Sequence, residues 1–309
     1  MNLAEVQGVN RIKLFLALSR TPHGLLDMCT PLLAALLWLG HAPDQRILVL
    51  GMLAAFAGYT AVYALNDIVD YDNDRKKIAQ ADAFHDSGYL DGAFIRHPLA
   101  HGFLSMPEAV VWAGGWMAVS LASAWLLNPV CALILISGCL LEVLYCRMFQ
   151  ISPLRTLVSG IVKTLGGLAA IFAVDAAPDI YQLLLLFSWL FLWEIGGQNV
   201  PADWHDLQED ISLKAKTTPA TLGPQAASCI VIATLGASVM LSGVLFWTAP
   251  LKMPPLLYAM VLLAGAYLLI LPAMRLFKTW ARADASALFN RASYYPCLLL
   301  ALTLAHLAW

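Results

Sequence analysis

Charge is what this chain has least of. Asp, Glu, Lys and Arg together make up 12% of its 309 residues, 60% are hydrophobic, and the net charge is −2. Such a composition excludes an ordinary water-soluble domain. The basic residues are spread over several segments, so there is no nucleic-acid footprint. Cysteine is sparse too. Cys29, Cys131, Cys139, Cys146, Cys229 and Cys297 form no C-x-x-C pair and fall mostly in apolar stretches, so they read as packing residues, with no zinc site or disulfide framework. The first twenty residues lack an adequate apolar core and a small-residue cleavage site. No cleavable signal peptide is expected there, and residues 9–19 read as an amphipathic helix lying on a membrane.

What is present is a series of long apolar windows. Spans are expected at roughly 24–41, 47–66, 107–127, 129–146, 155–174, 180–198, 225–247, 256–275 and 293–308. The fold class that follows is all-α: a polytopic membrane helical bundle of about nine transmembrane helices, with residues 1–309 forming one membrane domain. Of the 18 Lys and Arg, 15 fall at the N-terminus and in the loops of one side, which makes that side cytoplasmic. The opposite side holds only Arg46 and Lys252, and Lys163 falls inside a span. The cytoplasmic loops at about 67–106 and 199–224 are long and form caps, whereas the outer loops are minimal. Chemistry is therefore expected on the cytoplasmic face.

Each long loop opens on the same acidic pattern. Asp67, Asp70 and Asp74 read D-x2-D-x3-D, and Asp203, Asp206 and Asp210 repeat it 136 positions later. On a continuous helix, residues at i, i+3 and i+7 share one edge. The repeat suggests an internally duplicated bundle. A single acidic run at a membrane boundary reads as a solvated helix end, but two of identical spacing on one side read as a site. Aspartates brought together repel unless cations meet them, and oxygen ligands of this kind suit Mg2+ or Mn2+. Mg2+ fills much of its shell with water and phosphate oxygens, so two carboxylate edges facing one cavity could hold a diphosphate, with Arg96, Lys214 and Lys216 neutralising its remaining charge. A polar head at the membrane surface and an apolar interior suit a polyprenyl diphosphate.

These residues resemble the signatures of the UbiA superfamily of intramembrane prenyltransferases. Asn66-Asp67-x-x-Asp70-x-x-x-Asp74 is similar to the first motif, and Asp206-x-x-x-Asp210 followed by Lys216-Thr217 to the second. Arg96-x-Pro98-Leu99-x-x-Gly102 is similar to the segment behind the first motif. The resemblance implies Mg2+-dependent transfer of an isoprenyl chain from a polyprenyl diphosphate to a small, often aromatic acceptor. It implies that Asn66, Asp67, Asp70 and Asp74 form one metal–diphosphate site and Asp206 and Asp210 the other, with Asp203 and Asn199 adjoining. Arg96, Lys214 and Lys216 become diphosphate contacts, and Tyr145 lies near the reacting carbon. The family's lysine four positions after that tyrosine is Phe149 here, and Arg147 or Arg155 would have to replace it. The 21 residues between Asp74 and Arg96 exceed the usual linker and read as a lid, a partner site or a tolerated insertion.

Lys163 is the least expected residue, because an intramembrane lysine calls for an acidic partner or an anionic substrate. Glu194 with Gln198 could face the cavity and bind an acceptor. Trp112, Trp116, Trp125, Trp189 and Trp193 supply either tunnel lining or packing. A terpene cyclase acting on the same diphosphate, and an ion-coupled transporter, are the alternative readings; surface aspartates beside basic partners fit transport poorly. The minimal outer loops fit a bacterial inner membrane.

Overall fold

In the computed structural model the chain is described over residues 10–80, 89–90 and 94–308, and no strand occurs among the described residues. A short helix, α1 (Arg11–Leu18), precedes the bundle, and Arg11 pairs with Glu108. The first span is α2 (Thr21–Asp27) and α3 (Cys29–Leu39), interrupted at Met28 and closed by Gly40 at φ 71°. Then come α4 (Gln45–Val69), the surface helix α5 (Tyr71–Gln80), α6 (Met106–Leu127), α7 (Pro129–Arg147) and α8 (Arg155–Val174).

The sixth span runs through α9 (Ile180–Trp193), a π-helical turn (Glu194–Asn199) and α10 (Val200–His205), followed by the short α11 (Leu207–Ser212). Next are α12 (Thr218–Thr248), α13 (Pro255–Gly265), a second π turn (Ala266–Ile270), α14 (Leu271–Thr279) and α15 (Arg282–Leu307). Eight of these segments are long and apolar enough to cross a membrane by length and composition. The ninth, α15, begins eleven residues before the expected 293, because its first turns carry Arg282, Asp284, Asn290 and Arg291 and hide it from a hydropathy window.

Proline explains the irregular helices. Each π turn is followed at once by a helix with proline in its first turn, Pro201 and Pro272. A proline ring clashes with the carbonyl four residues back, and the wider turn relieves that contact. In α15 the helix passes straight through Pro296, which leaves the Ala292 carbonyl without its N–H donor. The buried Trp193 indole supplies one, Nε1 donating to that carbonyl at 3.1 Å. In an apolar bundle an unpaired carbonyl costs several kcal/mol, on the order of a full hydrogen bond, so this contact lets a proline sit inside a span.

The main core gathers Trp189, Trp193 and Tyr295 with aliphatic residues of α3, α8, α12 and α13. Elsewhere small residues let backbones approach. At Gly58 an added Cβ would lie 3.0 Å from Ser120 Oγ, which itself donates to the Ala54 carbonyl across α4 and α6.

Candidate active site

Both acidic motifs fall where a spanning helix stops and a surface helix starts. The expected single edge along a continuous helix is corrected here: Asp70 lies between α4 and α5 at φ −89°, ψ 6°, and Asp206 between α10 and α11 at φ −93°, ψ 12°. The amide chain is not lost, since Asp70 N–H still donates to the Asn66 carbonyl and Asp206 N–H to the Ala202 carbonyl. Carboxylates at the start of the new helix meet its positive end, which favours Asp74 and Asp210 there.

The two halves are pinned in the same way. Arg20, just before α2, donates to Asp67 Oδ1 at 3.1 Å and to Asn66 Oδ1 at 3.0 Å. Arg155, the first residue of α8, donates to Asp203 Oδ1 at 3.2 Å. An arginine at the mouth of one span thus holds the first aspartate of the motif on the next span, twice over. Cross-braces then join the halves. Arg96 forks onto both oxygens of Asp206 at 3.1 and 2.6 Å, and Lys77, on the first motif's own surface helix, reaches Asp206 at 3.5 Å and Asp210 at 3.0 Å.

Electrostatics follow from these partners. Burial would raise the Asp206 carboxyl, but the Arg96 and Lys77 charges outweigh it and hold it well below the usual range. Burial works against the His97 imidazolium, yet Asp74 at 2.9 Å and Asp67 at 3.4 Å raise its pKa to about 9. Asp70 is raised instead, by burial and then by Asp74, and it stands in no ion pair among the described residues. Burial likewise raises Asp210, despite Lys77.

This donor set fits a hard divalent cation. The Asp67 and Asp74 carboxylates gather with the His97 imidazolium within 4.8 Å, so one positive charge already sits between them where a cation would. Asp203 Oδ2 and Asn199 Oδ1 are buried with no hydrogen-bond partner among the described residues. Carboxylate and amide oxygens left open in this way are what Mg2+ with phosphate oxygens would complete.

Below the aspartates a cavity of about 370 Å³ continues between α3, α4, α7 and α8, and its wall turns from polar to aliphatic. Asn66, Asp70, Asp74, Asp203 and Asp206 line its mouth together with Arg96 and Asn199. Tyr145 lines it as well, its hydroxyl accepting from Asn199 Nδ2 at 3.1 Å and its ring lying 4.1 Å beneath the Arg155 guanidinium. Arg155 also lies 5.1 Å over Phe149, so it fills the region of the missing lysine, whereas Arg147 is exposed. Lys163 lines the cavity deeper down and has the acidic partner an intramembrane lysine calls for, Asp27 Oδ2 at 2.6 Å.

Lys214 and Lys216 are not brought to the cavity. Both are exposed, and the chain turns outward at Lys214 with φ 56°. None of the five tryptophans singled out from the sequence lines the cavity; Trp189 and Trp193 are buried in the core and Trp125 is exposed. The aromatic faces there are instead Tyr59, Tyr63, Tyr89, Tyr145, Phe149 and Phe289.

Sequence reasoning missed Arg20, Lys77 and His97. Lys77 carried a signal, seven residues after Asp70 and three after Asp74; Arg20 carried none. Of the insertion between Asp74 and Arg96, residues 81–88 and 91–93 lie outside the described residues. Tyr89 within it is buried, stacks on His205 at 4.2 Å and lies 5.6 Å under Arg96. The next amide, Leu90 N–H, donates to Asn290 Oδ1 at 2.9 Å.

The class is thus an integral membrane protein with two matching aspartate helix breaks, whose carboxylate mouth is ready for a cation and opens over an apolar cavity. The model of the UbiA prenyltransferase family matches residues 28–294, and the chain belongs to that family: it is a membrane prenyltransferase. It is 26% identical over 233 residues to a digeranylgeranylglyceryl phosphate synthase of Thermococcus sibiricus, covering 74% of this chain and 77% of that protein. Its fold is similar to an apo UbiA homolog from Aeropyrum pernix K1, with TM-score 0.72, 22% identity, and 92% of this chain and 97% of that one covered. It is similar also to a UbiA homolog from Archaeoglobus fulgidus bound to DMAPP and Mg2+, with TM-score 0.66, 19% identity, and 95% and 99% covered.

Proposed function

We propose that the chain acts as one membrane domain that transfers an isoprenyl chain from a polyprenyl diphosphate to a small acceptor, with the diphosphate bound and released at the motif end. The observation that carries this reading is the pair of aspartate helix breaks facing each other across one cavity mouth, cross-braced by Arg96 and Lys77, with an apolar wall directly below. Asp67, Asp70 and Asp74 with Asn66 form one side of the cation site, and Asp203, Asp206 and Asp210 with Asn199 the other. Mg2+ bound there would neutralise the diphosphate and stabilise it as a leaving group.

The chain's own residues do the rest. Arg96 and Lys77 are held by Asp206 at the cavity mouth, where they can turn toward phosphate oxygens. Arg155 fixes the Tyr145 ring, whose face lies beside the path of the allylic carbon and shields positive charge developing there. The aliphatic wall below excludes water and holds the chain. The acceptor can be an aromatic ring, as the motif resemblance suggests, or a glyceryl hydroxyl, as the name of the Thermococcus relative suggests. The bias of Lys and Arg supports a cytoplasmic motif face; the similar proteins are archaeal, so the reading keeps a cell membrane without a bacterial assignment.

The test is diphosphate release by purified protein from geranyl, farnesyl and geranylgeranyl diphosphates with and without Mg2+, beside Asp70→Ala and Asp206→Ala. Release that needs the metal and both aspartates, with a prenylated acceptor as product, is the expected result. A cyclic hydrocarbon or alcohol formed from donor alone would turn the reading to a cyclase.

A further inference from the structure

Beneath the aspartates the cavity carries a second polar layer that neither motif supplies. Lys163 and Ser159 come from α8, Asp27 from the end of α2, Tyr63 from α4 and Glu194 from the π turn. Lys163 Nζ lies 2.6 Å from Asp27 Oδ2 and 3.3 Å from the Tyr63 hydroxyl, which itself donates to the same Asp27 oxygen. The ammonium is therefore satisfied within the protein.

Glu194 is not. Ser159 Oγ donates to its Oε1 at 2.8 Å, but Oε2 is buried with no hydrogen-bond partner among the described residues, in a side chain only 6% exposed that lines the cavity. A buried carboxylate oxygen left open is costly unless a donor from outside completes it. Its depth fits a reacting group. Glu194 precedes Asp203 by nine residues on the same span, roughly two helical turns, which leaves room for a diphosphate and the first carbons of its chain.

We propose that this layer is the acceptor site and that Glu194 is the general base, receiving an acceptor through a hydroxyl group. The inference rests on the prenyl-transfer reading and deepens it. A hydroxyl offers Glu194 Oε2 the hydrogen it lacks; a carboxylate does not. The acceptor oxygen bonds to C1 of the prenyl chain while the C1–O bond to diphosphate breaks, its electron pair leaving with the diphosphate. The hydroxyl proton passes to Glu194 Oε2, and the product is a prenyl ether. Ser159 holds the carboxylate, and Lys163 with Asp27 forms the floor of the layer.

The experiment uses the full chain in detergent with Mg2+, geranylgeranyl diphosphate, and either a 1-O-alkylglycerol, its phosphate, or 4-hydroxybenzoate. It compares wild type with Glu194→Gln and Glu194→Asp. Glutamine preserves the contact to Ser159, so the fold is kept, and binding of farnesyl thiodiphosphate, an unreactive donor analogue, reports an intact metal–diphosphate site. The expected result is an ether-linked product whose kcat falls roughly 10²–10⁴-fold in Glu194→Gln, with analogue binding unchanged and partial recovery in Glu194→Asp. Wild-type turnover by Glu194→Gln, loss of analogue binding in that variant, or a product linked solely through carbon would each overturn the assignment. If wild type releases no diphosphate from any donor, the prenyl-transfer reading falls first and this inference with it.

Discussion

Asp70 and Asp206, 136 residues apart, hold the same backbone conformation, φ −89°, ψ 6° and φ −93°, ψ 12°. The helix halts at the middle aspartate of each motif, and this bridge-region geometry recurs among active-site residues. The equivalence stops at the side chains. Asp206 is clamped by Arg96 and Lys77, whereas Asp70 faces the cavity with no ion-pair partner among the described residues. The middle aspartates are thus asymmetric in charge, Asp206 satisfied by the protein and Asp70 open to a ligand.

That asymmetry predicts opposite stabilities for the same substitution. Without Mg2+, Asp70→Asn should be neutral or stabilising by about 1 kcal/mol, because it removes a half-buried charge that no cation pairs. Asp206→Asn should cost about 2 kcal/mol, less than a fully buried pair, because it strands the partly solvated Arg96 while Lys77 keeps Asp210. Both should abolish diphosphate release. Thermal unfolding in detergent, with and without Mg2+, separates the effects; equal destabilisation by the two variants would contradict the asymmetry.

Tyr89 lies between His205 and Arg96, so it steadies the guanidinium that grips Asp206. Tyr89→Ala should lose a cation–π contact of about 0.5–1 kcal/mol and raise the donor KM a few-fold, with kcat little changed. Tyr89→Phe should retain most of the wild-type KM. A large fall in kcat with KM constant would mean that the ring acts on the reacting carbon instead.

The carbonyl freed by Pro296 gives a prediction independent of catalysis. Trp193→Phe removes the indole donor to the Ala292 carbonyl and should cost about 1–2 kcal/mol. In a Pro296→Ala background the helix regains its own amide at position 296, and most of that cost should vanish. A double-mutant cycle of unfolding free energies measures the coupling. Additive costs would show that the indole bond contributes nothing beyond packing.

How far the sequence carried the reading follows from what each signal encodes. Hydropathy marks spans, so it found eight of them and misplaced the start of α15, where Arg282 and Asp284 open a helix that is polar for its first turns. Aspartate spacing marked the motifs, but spacing on an assumed helix could not reveal that the helix breaks at Asp70 and Asp206. Arg20 was legible only as one more positive charge, because its pairing with Asp67 depends on how α2 meets the end of α4. Lys214 and Lys216 had the right charge and proximity, and the left-handed turn at Lys214 points them away.

Lys163 and Asp27 make the last case. The sequence demanded an acid for the lysine and could not name it, since Asp27 lies in a window read as apolar. At 2.6 Å, with side chains 12% and 3% exposed, the two form an ion pair inside the bundle. Breaking such a pair from one side leaves a bare charge and costs about 3–5 kcal/mol, whereas replacing both partners can be close to neutral. Lys163→Met and Asp27→Asn should therefore each lower the unfolding temperature sharply, and the double variant should recover most of the loss. Tyr63 tempers the second effect, because its hydroxyl can still donate to the amide oxygen that replaces the carboxylate, so Asp27→Asn should be the milder of the two. A double variant as unstable as the sum of the singles would mean that the ammonium and the carboxylate are each held chiefly by other groups, and that their contact is incidental to the fold.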